Sequence, residues 1–244
     1  MSALFPILLF GFFLGMRHAT DSDHVVAVTT IVSRKREISS AAWTGIFWGI
    51  GHSLTLVVVG GAIILFGVVV PQRLGMSLEF CVALMLILLG VLNLRAAFRA
   101  VENVSTDSDH SHTHGHKPAG HGHAEEAVPP EKLDRWFGSS RFYQLLRPLV
   151  IGTVHGLAGS AAVALLVLPI IHDPIWAMAY LLIFGVGTIA GMMLITAAIA
   201  VPVSYSTRFQ FLHGHLGTAA GVLSLAFGLF LVYQIGYVDG LFVR

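Results

Sequence analysis

Five ionisable side chains fall within eight residues, Arg17 to His24, of a chain that is otherwise poor in charge. The segment reads Arg-His-Ala-Thr-Asp-Ser-Asp-His and contains two carboxylates, Asp21 and Asp23. It lies in the middle of a largely apolar stretch that is long enough to span a bilayer, which needs about 20 residues. A charged group at that depth costs about 2.5–3.5 kcal/mol, so charged residues there are usually functional.

Two histidines elsewhere in the chain are expected at the same depth. His52 and His155 lie near the middles of the second and fourth apolar stretches. Imidazole and carboxylate groups suit Ni²⁺, Co²⁺ and Zn²⁺, whereas the chain's one cysteine, Cys81, argues against a thiolate site for Cu(I). A buried network of ion pairs that only fixes helix packing is the alternative. We predict a metal site formed by four histidines and two aspartates: His18, Asp21, Asp23, His24, His52 and His155.

Helix geometry separates the two aspartates. At about 100° per residue, His18 and His24 each lie about 60° from Asp21, so these three side chains share one face of a straight helix. Asp23 points elsewhere on such a helix and joins the site only if the helix is broken there. Arg17 lies one turn before Asp21, where its guanidinium could keep that carboxylate ionised.

The composition requires membrane-spanning helices to position these residues. Hydrophobic residues make up 55% of the 244 residues and charged residues only 11%, against about 25% charged in soluble domains. Continuous rather than alternating apolar runs favour helices over a barrel, and the net charge of +1 gives no indication of nucleic-acid binding. We predict an all-α polytopic membrane protein with six transmembrane helices, at 3–32, 41–70, 75–100, 146–171, 175–203 and 212–238.

The two halves of the chain resemble each other. Their alignment pairs Gly15 with Gly152 and His18 with His155. Each half has three spans, so the second half enters the membrane from the opposite side, as in transporters built from inverted repeats. We predict two inverted three-helix repeats, with chance similarity among Gly- and Leu-rich spans as the alternative. The aligned segments are 15–28 with 152–165, 49–56 with 185–192, and 88–94 with 226–232.

Lysine and arginine are distributed unevenly between the two sides of the predicted bundle. Eleven of the fourteen lie on the side of the first, third and fifth connections, Arg73 and Arg244 lie on the other, and Arg17 is inside the first span. By the positive-inside rule, the eleven are cytoplasmic and both termini are not. We expect the chain to lie in the cell (inner) membrane. It then divides into a first three-span repeat at 1–100, a cytoplasmic linker at 101–145 and a second three-span repeat at 146–244.

The linker contains a histidine-rich segment, 107–123, with six histidines and two aspartates. Alternating histidines of this kind bind metal ions weakly and reversibly. A solvated linker without a metal role is the alternative interpretation. The segment favours a metal function but does not indicate a direction of transport.

These motifs resemble the nickel/cobalt permease family. The sequence from His18 to His24 is similar to that family's H-A-x-D-x-D-H signature, and Gly51-His52-Ser53 is similar to its G-H-S signature in the next span. The segment from His155 to Ser160 is similar to the branch of urease accessory membrane proteins. This chain lacks the family's usual acidic and threonine-rich third motif, and it has six predicted spans instead of eight. The resemblance implies a functional link to urease or another nickel enzyme, and it implies that the metal is handled by His18, Asp21, Asp23, His24 and His52.

We therefore predict a secondary permease for a divalent transition metal, nickel or cobalt, with no enzymatic activity and no resident cofactor. Its expected partners are the metal ion and the lipid bilayer. The ion would exchange its waters for side chains of the site, and rocking of the two halves would expose it to the other side. The alternatives are an exporter of the same superfamily and an intramembrane metal-dependent hydrolase with Asp23 as general base.

Overall fold

The computed structural model describes residues 4–33, 37–67, 71–107, 141–157, 171, 173–206 and 210–242. Over these residues, every regular element is a helix. Nearly all of the histidine-rich segment and much of the predicted fourth span lie outside the described residues. The helices are α1 (Leu4–His18), α2 (Ser22–Val32), α3 (Ile38–Phe66), α4 (Gln72–Asp107), α5 (Arg141–Leu157), α6 (Pro174–Ser206) and α7 (Gln210–Tyr233), and α7 continues into a π-helical turn (Gln234–Val238).

Four helical segments are long and apolar enough to cross a membrane, with mean hydropathies between 1.9 and 2.3. They agree within a few residues with the spans predicted at 41–70, 75–100, 175–203 and 212–238. Over its described residues, the chain is therefore all-α, with the composition of a polytopic membrane protein. The four segments are Ile38–Phe66, Gln72–Arg99, Pro174–Ser204 and His215–Val238.

Local sequence signals set several helix ends. α3 stops at Gly67, whose φ of 61° is in the left-handed region that glycine adopts without strain, and its N–H donates to the carbonyl of Ile63. α6 begins at Pro174, a residue that suits the first helical position because it has no N–H to leave unpaired. The Asp173 carboxylate accepts the N–H of Ile175 at 2.9 Å and caps that first turn.

The side chains are arranged as in a protein surrounded by lipid. Large apolar side chains cover the outside of the bundle, among them Phe10, Leu54 and Leu88, each more than half exposed. Histidine, serine and threonine side chains are buried between the helices instead. Cys81 is exposed on α4.

Glycines allow the helices that carry the predicted site to approach closely. α6 packs against both α1 and α3, α5 packs against α3, and α4 packs against α7. A Cβ added at Gly51 would overlap the carbonyl oxygen of Leu149, and one added at Gly187 would overlap that of Phe12. Side chains larger than hydrogen at these positions would separate α5 from α3 and α1 from α6.

Candidate metal centre

The first predicted span is broken within the polar segment, at residues 19–21. The N–H of Thr20 donates to the carbonyl of Arg17 at 2.8 Å, and the N–H of Asp21 donates to that of His18 at 3.1 Å. The Thr20 hydroxyl also donates to the Arg17 carbonyl. Asp21 then has extended backbone (φ −59°, ψ 146°), and α2 begins one residue later. Threonine, serine and aspartate favour such a break because their side chains compete for backbone hydrogen bonds.

The prediction of one helix over 3–32 is therefore wrong. The prediction that His18, Asp21 and His24 share one face is wrong as well, because it required a straight helix. Of the two aspartates, Asp23 is the more buried, with its side chain 18% exposed against 46% for Asp21. Arg17 is exposed. Among the described residues, Asp21 forms its ion pair with His18 rather than with Arg17.

The structure brings the four predicted histidines together in one buried cluster. His24, His52 and His155 are fully buried, and His18 is 7% exposed. The ring centroid of His24 lies 4.8 Å from that of His18, 5.0 Å from that of His52 and 4.3 Å from that of His155. These residues come from α1, α2, α3 and α5, so the cluster joins four helices around His24.

The two aspartates orient three of these rings. His18 Nδ1 lies 2.8 Å from Asp21 Oδ2, while His24 Nδ1 and His155 Nε2 lie 3.0 Å and 2.9 Å from the two oxygens of Asp23. An ionised carboxylate only accepts hydrogen bonds, so each of these ring nitrogens carries the proton and donates. The other nitrogen of each neutral ring then carries a lone pair. Carboxylate–histidine pairs of this kind fix the tautomer and direction of metal-binding imidazoles.

Among the residues that the structure describes, three ring nitrogens of the cluster are buried without a hydrogen-bond partner: His24 Nε2, His52 Nδ1 and His155 Nδ1. For His24 and His155, the tautomers set by Asp23 make these nitrogens lone-pair acceptors. His18 Nε2 faces His52 Nε2 at 3.0 Å, and since His18 holds its proton on Nδ1, His52 Nε2 donates and its Nδ1 is also an acceptor. Each unsatisfied buried group costs about 1–3 kcal/mol. A cation bound in the cluster would give such nitrogens a partner.

The candidate ligand atoms form two groups that share His24. One group is His18, His24 and His52, the other is Asp23, His24 and His155, and the atoms of each lie within 4.8 Å of one another. Two nitrogens bound to one ion at about 2.1 Å are at most about 4.2 Å apart. The spacing within each group is therefore close to that of a coordination shell. A set of nitrogen and oxygen ligands without thiolate suits Ni²⁺, Co²⁺ or Zn²⁺.

Two aromatic side chains enclose the histidines. Trp48 stacks against His24, with ring centroids 6.2 Å apart and planes 16° apart, and Phe184 lies 5.6 Å from His18. Both aromatic side chains are almost completely buried, so they keep water from the cluster and strengthen the electrostatic effect of Asp23. Sequence reasoning missed this pair. The signal was present, because extending the alignment of 49–56 with 185–192 by one residue pairs Trp48 with Phe184.

Two glycines of α5 bring His155 into the cluster. A Cβ added at Gly152 would overlap the carbonyl oxygen of Trp48, and one added at Gly156 would lie 2.6 Å from that of His52. Both distances require the absence of a side chain. The position of His155 therefore depends on the close contact between α5 and α3.

Comparisons with known proteins agree with a metal function. The family model described as "NicO: High-affinity nickel-transport protein" matches residues 4–217. The chain is 34% identical over 239 residues, 98% of its length and 96% of the other, to the urease accessory protein UreH of Bacillus sp. (strain TB-90). No solved structure matches the chain.

Proposed function

Since the chain belongs to the NicO family of high-affinity nickel-transport proteins, we propose that a divalent nickel or cobalt ion crosses the membrane through its buried histidine centre. Membership of this family, together with the four membrane-length helices, makes the chain a membrane transporter and not an enzyme. The hydrolase alternative is thereby set aside. The metal ion is the transported substrate of the centre.

The three unpartnered ring nitrogens around His24 carry the proposal. A divalent ion gives up its waters only when several ligands replace them together. The centre offers lone pairs of this kind and the carboxylate of Asp23, whose negative charge offsets part of the ion's charge. Neutral imidazoles hold such an ion firmly enough to select it and still allow release when the helices move.

We further propose that the chain consists of two inverted three-helix repeats. Contacts between equivalent residues support this arrangement. Gly51 is aligned with Gly187, and continuing the first aligned segment pairs Phe12 with Leu149. Gly51 packs on the carbonyl of Leu149, and Gly187 packs on the carbonyl of Phe12. Such reciprocal contacts are expected when two halves are related by a two-fold axis.

A second reciprocal pair links α4 to α7. Gly90 is aligned with Gly228, and continuing that segment pairs Ala83 with Gly221. A Cβ at Gly90 would lie 2.9 Å from the carbonyl oxygen of Gly221, and one at Gly228 would lie 2.9 Å from that of Ala83. The same two-fold relation pairs the packing of α1 on α6 with the packing of α5 on α3. These reciprocal contacts favour two related halves over chance similarity.

The repeats differ where the ion would bind. The position equivalent to His52 is Thr188, which is buried and donates its hydroxyl to its own helix at the Phe184 carbonyl. The first repeat therefore supplies most of the ligands, while the second contributes His155. Movement of α5 relative to α1 and α2 would separate His155 from Asp23 and His24, and so weaken the site during alternating access.

We propose that the termini face away from the cytoplasm and that the ion moves inward. The distribution of lysine and arginine supports this orientation, which thiol labelling of Gly240→Cys in intact cells would test. The name of the similar urease accessory protein supports uptake for a nickel enzyme over export. The histidine-rich segment would then lie in the cytoplasm, where it would take up the released ion.

X-ray absorption at the nickel edge tests whether the ion binds at this centre. The full-length chain with the six histidines of 107–123 replaced by serine should bind one Ni²⁺ with several imidazole rings at about 2.0–2.1 Å. His52→Leu in the same background should remove one imidazole from the spectrum. A spectrum of oxygen ligands alone, unchanged by His52→Leu, would show that the ion binds elsewhere.

A further inference from the structure

A cavity of about 410 Å³ lies beside the metal centre and is lined by residues of α2, α4, α7 and the turn that follows α7. Four carboxylates line it, those of Asp21, Asp23, Glu79 and Asp239. We infer that this cavity is the outer half of the ion path, and that Glu79 and Asp239 draw the hydrated divalent ion toward the histidines. The inference rests on the proposed function, because it assigns the route by which the transported ion reaches its site.

The charge of the cavity matches a cation. None of the described residues that line it is lysine, arginine or histidine. Asp21 and Asp23 accept hydrogen bonds from histidines, whereas the carboxylates of Glu79 and Asp239 have neither a hydrogen bond nor an ion pair within the described part of the chain. Glu79 is partly buried within α4, and a carboxylate in a membrane helix is costly without a partner. A passing divalent cation would supply one.

The inner wall of the cavity is the metal centre itself. Asp23 lines the cavity, and its two oxygens accept hydrogen bonds from His24 and His155 at 3.0 Å and 2.9 Å. Both histidines are fully buried, and each has a ring nitrogen without a partner. The cavity therefore ends at a carboxylate that is bonded to two histidines of the metal centre. At about 30 Å³ for each water, it has room for roughly a dozen waters, so an ion can enter with its hydration shell.

The π-helical turn places Asp239 at this cavity. The N–H of Asp239 donates to the carbonyl of Gln234 at 2.8 Å, and Gln234 also lines the cavity. The chain then folds back so that Phe242 packs on Gly236 and on Phe80, whose ring centroid is 5.3 Å away. Phe80 is the neighbour of Glu79 in α4, so this contact holds the two carboxylate-bearing segments beside each other. π-helical turns often occur at functional sites.

The opposite end of the same helix interface is closed. The Thr30 hydroxyl lies 3.3 Å from the carbonyl of Ala220, and the Asn93 amide donates to the carbonyl of Gly217 at 2.9 Å. Between these contacts and the cavity, α2 and α4 share a buried apolar cluster that includes Val28 and Leu86. Within the described part of the chain, this cavity therefore opens on the side where α4 begins and α7 ends.

Nickel entry into liposomes containing the purified full-length protein tests this inference. We expect the double variant Glu79→Gln, Asp239→Asn to raise the nickel concentration that gives half the maximal rate by about tenfold. The reason is that the focused negative field of the wild-type cavity raises the rate of cation association, and the variant loses that field. The maximal rate should stay within about twofold. Asp173→Asn is the matched control, since Asp173 is an exposed acid outside the cavity, and it should leave both quantities unchanged.

Salt and the single variants complete the test. At about 1 M salt, where the Debye length is about 3 Å, the difference between wild type and the double variant should become smaller. If the double variant does not fold, each single variant should still raise the half-saturating concentration by about threefold. Identical concentration curves for active wild type and folded variants would overturn the ion path and leave the proposed function intact. A wild-type protein that carries no nickel would overturn both.

Discussion

Replacing Asp23 by asparagine should lower the affinity of the purified protein for Ni²⁺ by about 100-fold, the upper end of what loss of a supporting carboxylate costs. The Asp23 oxygens accept hydrogen bonds from His24 and His155. Asparagine keeps one acceptor, but its amide group would face the N–H of the other ring, so that imidazole must turn. The negative charge that offsets the ion's charge is lost as well.

The matched control is Asp21→Asn. Asp21 orients only His18 and is the more exposed of the two carboxylates, so its replacement should cost about tenfold or less. Calorimetric titration of each purified variant with Ni²⁺ measures both affinities. If Asp21→Asn costs more than Asp23→Asn, the two aspartates have the opposite roles, as a straight first helix would require.

Replacing His24 by leucine should abolish measurable Ni²⁺ binding at the centre, with a loss of about 1000-fold or more. His24 is the residue common to both groups of candidate ligands, so its removal leaves neither group complete. Each tenfold loss of affinity corresponds to about 1.4 kcal/mol, and a lost ligand together with the disturbed Asp23 contact accounts for several such factors. Leucine fills the space beside Trp48, which limits the cavity that alanine would leave.

His215→Leu is the control for this substitution. His215 is an exposed histidine of α7 outside the cluster, and its replacement should leave the affinity unchanged. Thermal unfolding in detergent must show that His24→Leu remains folded. A folded His24→Leu protein that binds Ni²⁺ with wild-type affinity would mean that the metal site lies elsewhere.

The histidine cluster could be predicted from sequence because polar residues are costly in lipid. His18, His24, His52 and His155 stand near the middles of apolar stretches, and the bundle has one interior in which they can all be buried. Their types and depths were enough to predict that they meet. The alignment of the two halves pointed to the same conclusion, because it pairs His18 with His155.

The role of each aspartate could not be predicted, because it depends on where the backbone leaves the helix. The break at residues 19–21 has neither glycine nor proline to mark it. Only the run Thr-Asp-Ser-Asp, whose members have low helix propensity, indicates it. Helical periodicity therefore favoured Asp21, whereas the folded chain turns Asp23 toward His24 and His155.

Glu79 and Asp239 were missed for a different reason. They lie near the ends of predicted spans, where a carboxylate is ordinarily explained by contact with water and headgroups. Only the packing of α2, α4 and the π-helical turn shows that both face the same cavity as Asp21 and Asp23. The distance between α4 and α7 is set by glycine contacts that lie far from Glu79 and Asp239 in the sequence, such as that between Gly90 and Gly221.

Nickel flux into liposomes that contain only the purified protein tests the central claim most directly. An indicator trapped inside the vesicles reports the rate at which Ni²⁺ enters. We predict saturable entry with wild-type protein, and entry with His24→Leu that equals the leak of protein-free vesicles. If wild-type vesicles admit Ni²⁺ no faster than protein-free ones, or if folded His24→Leu protein transports at the wild-type rate, the histidine centre is not the path of the ion.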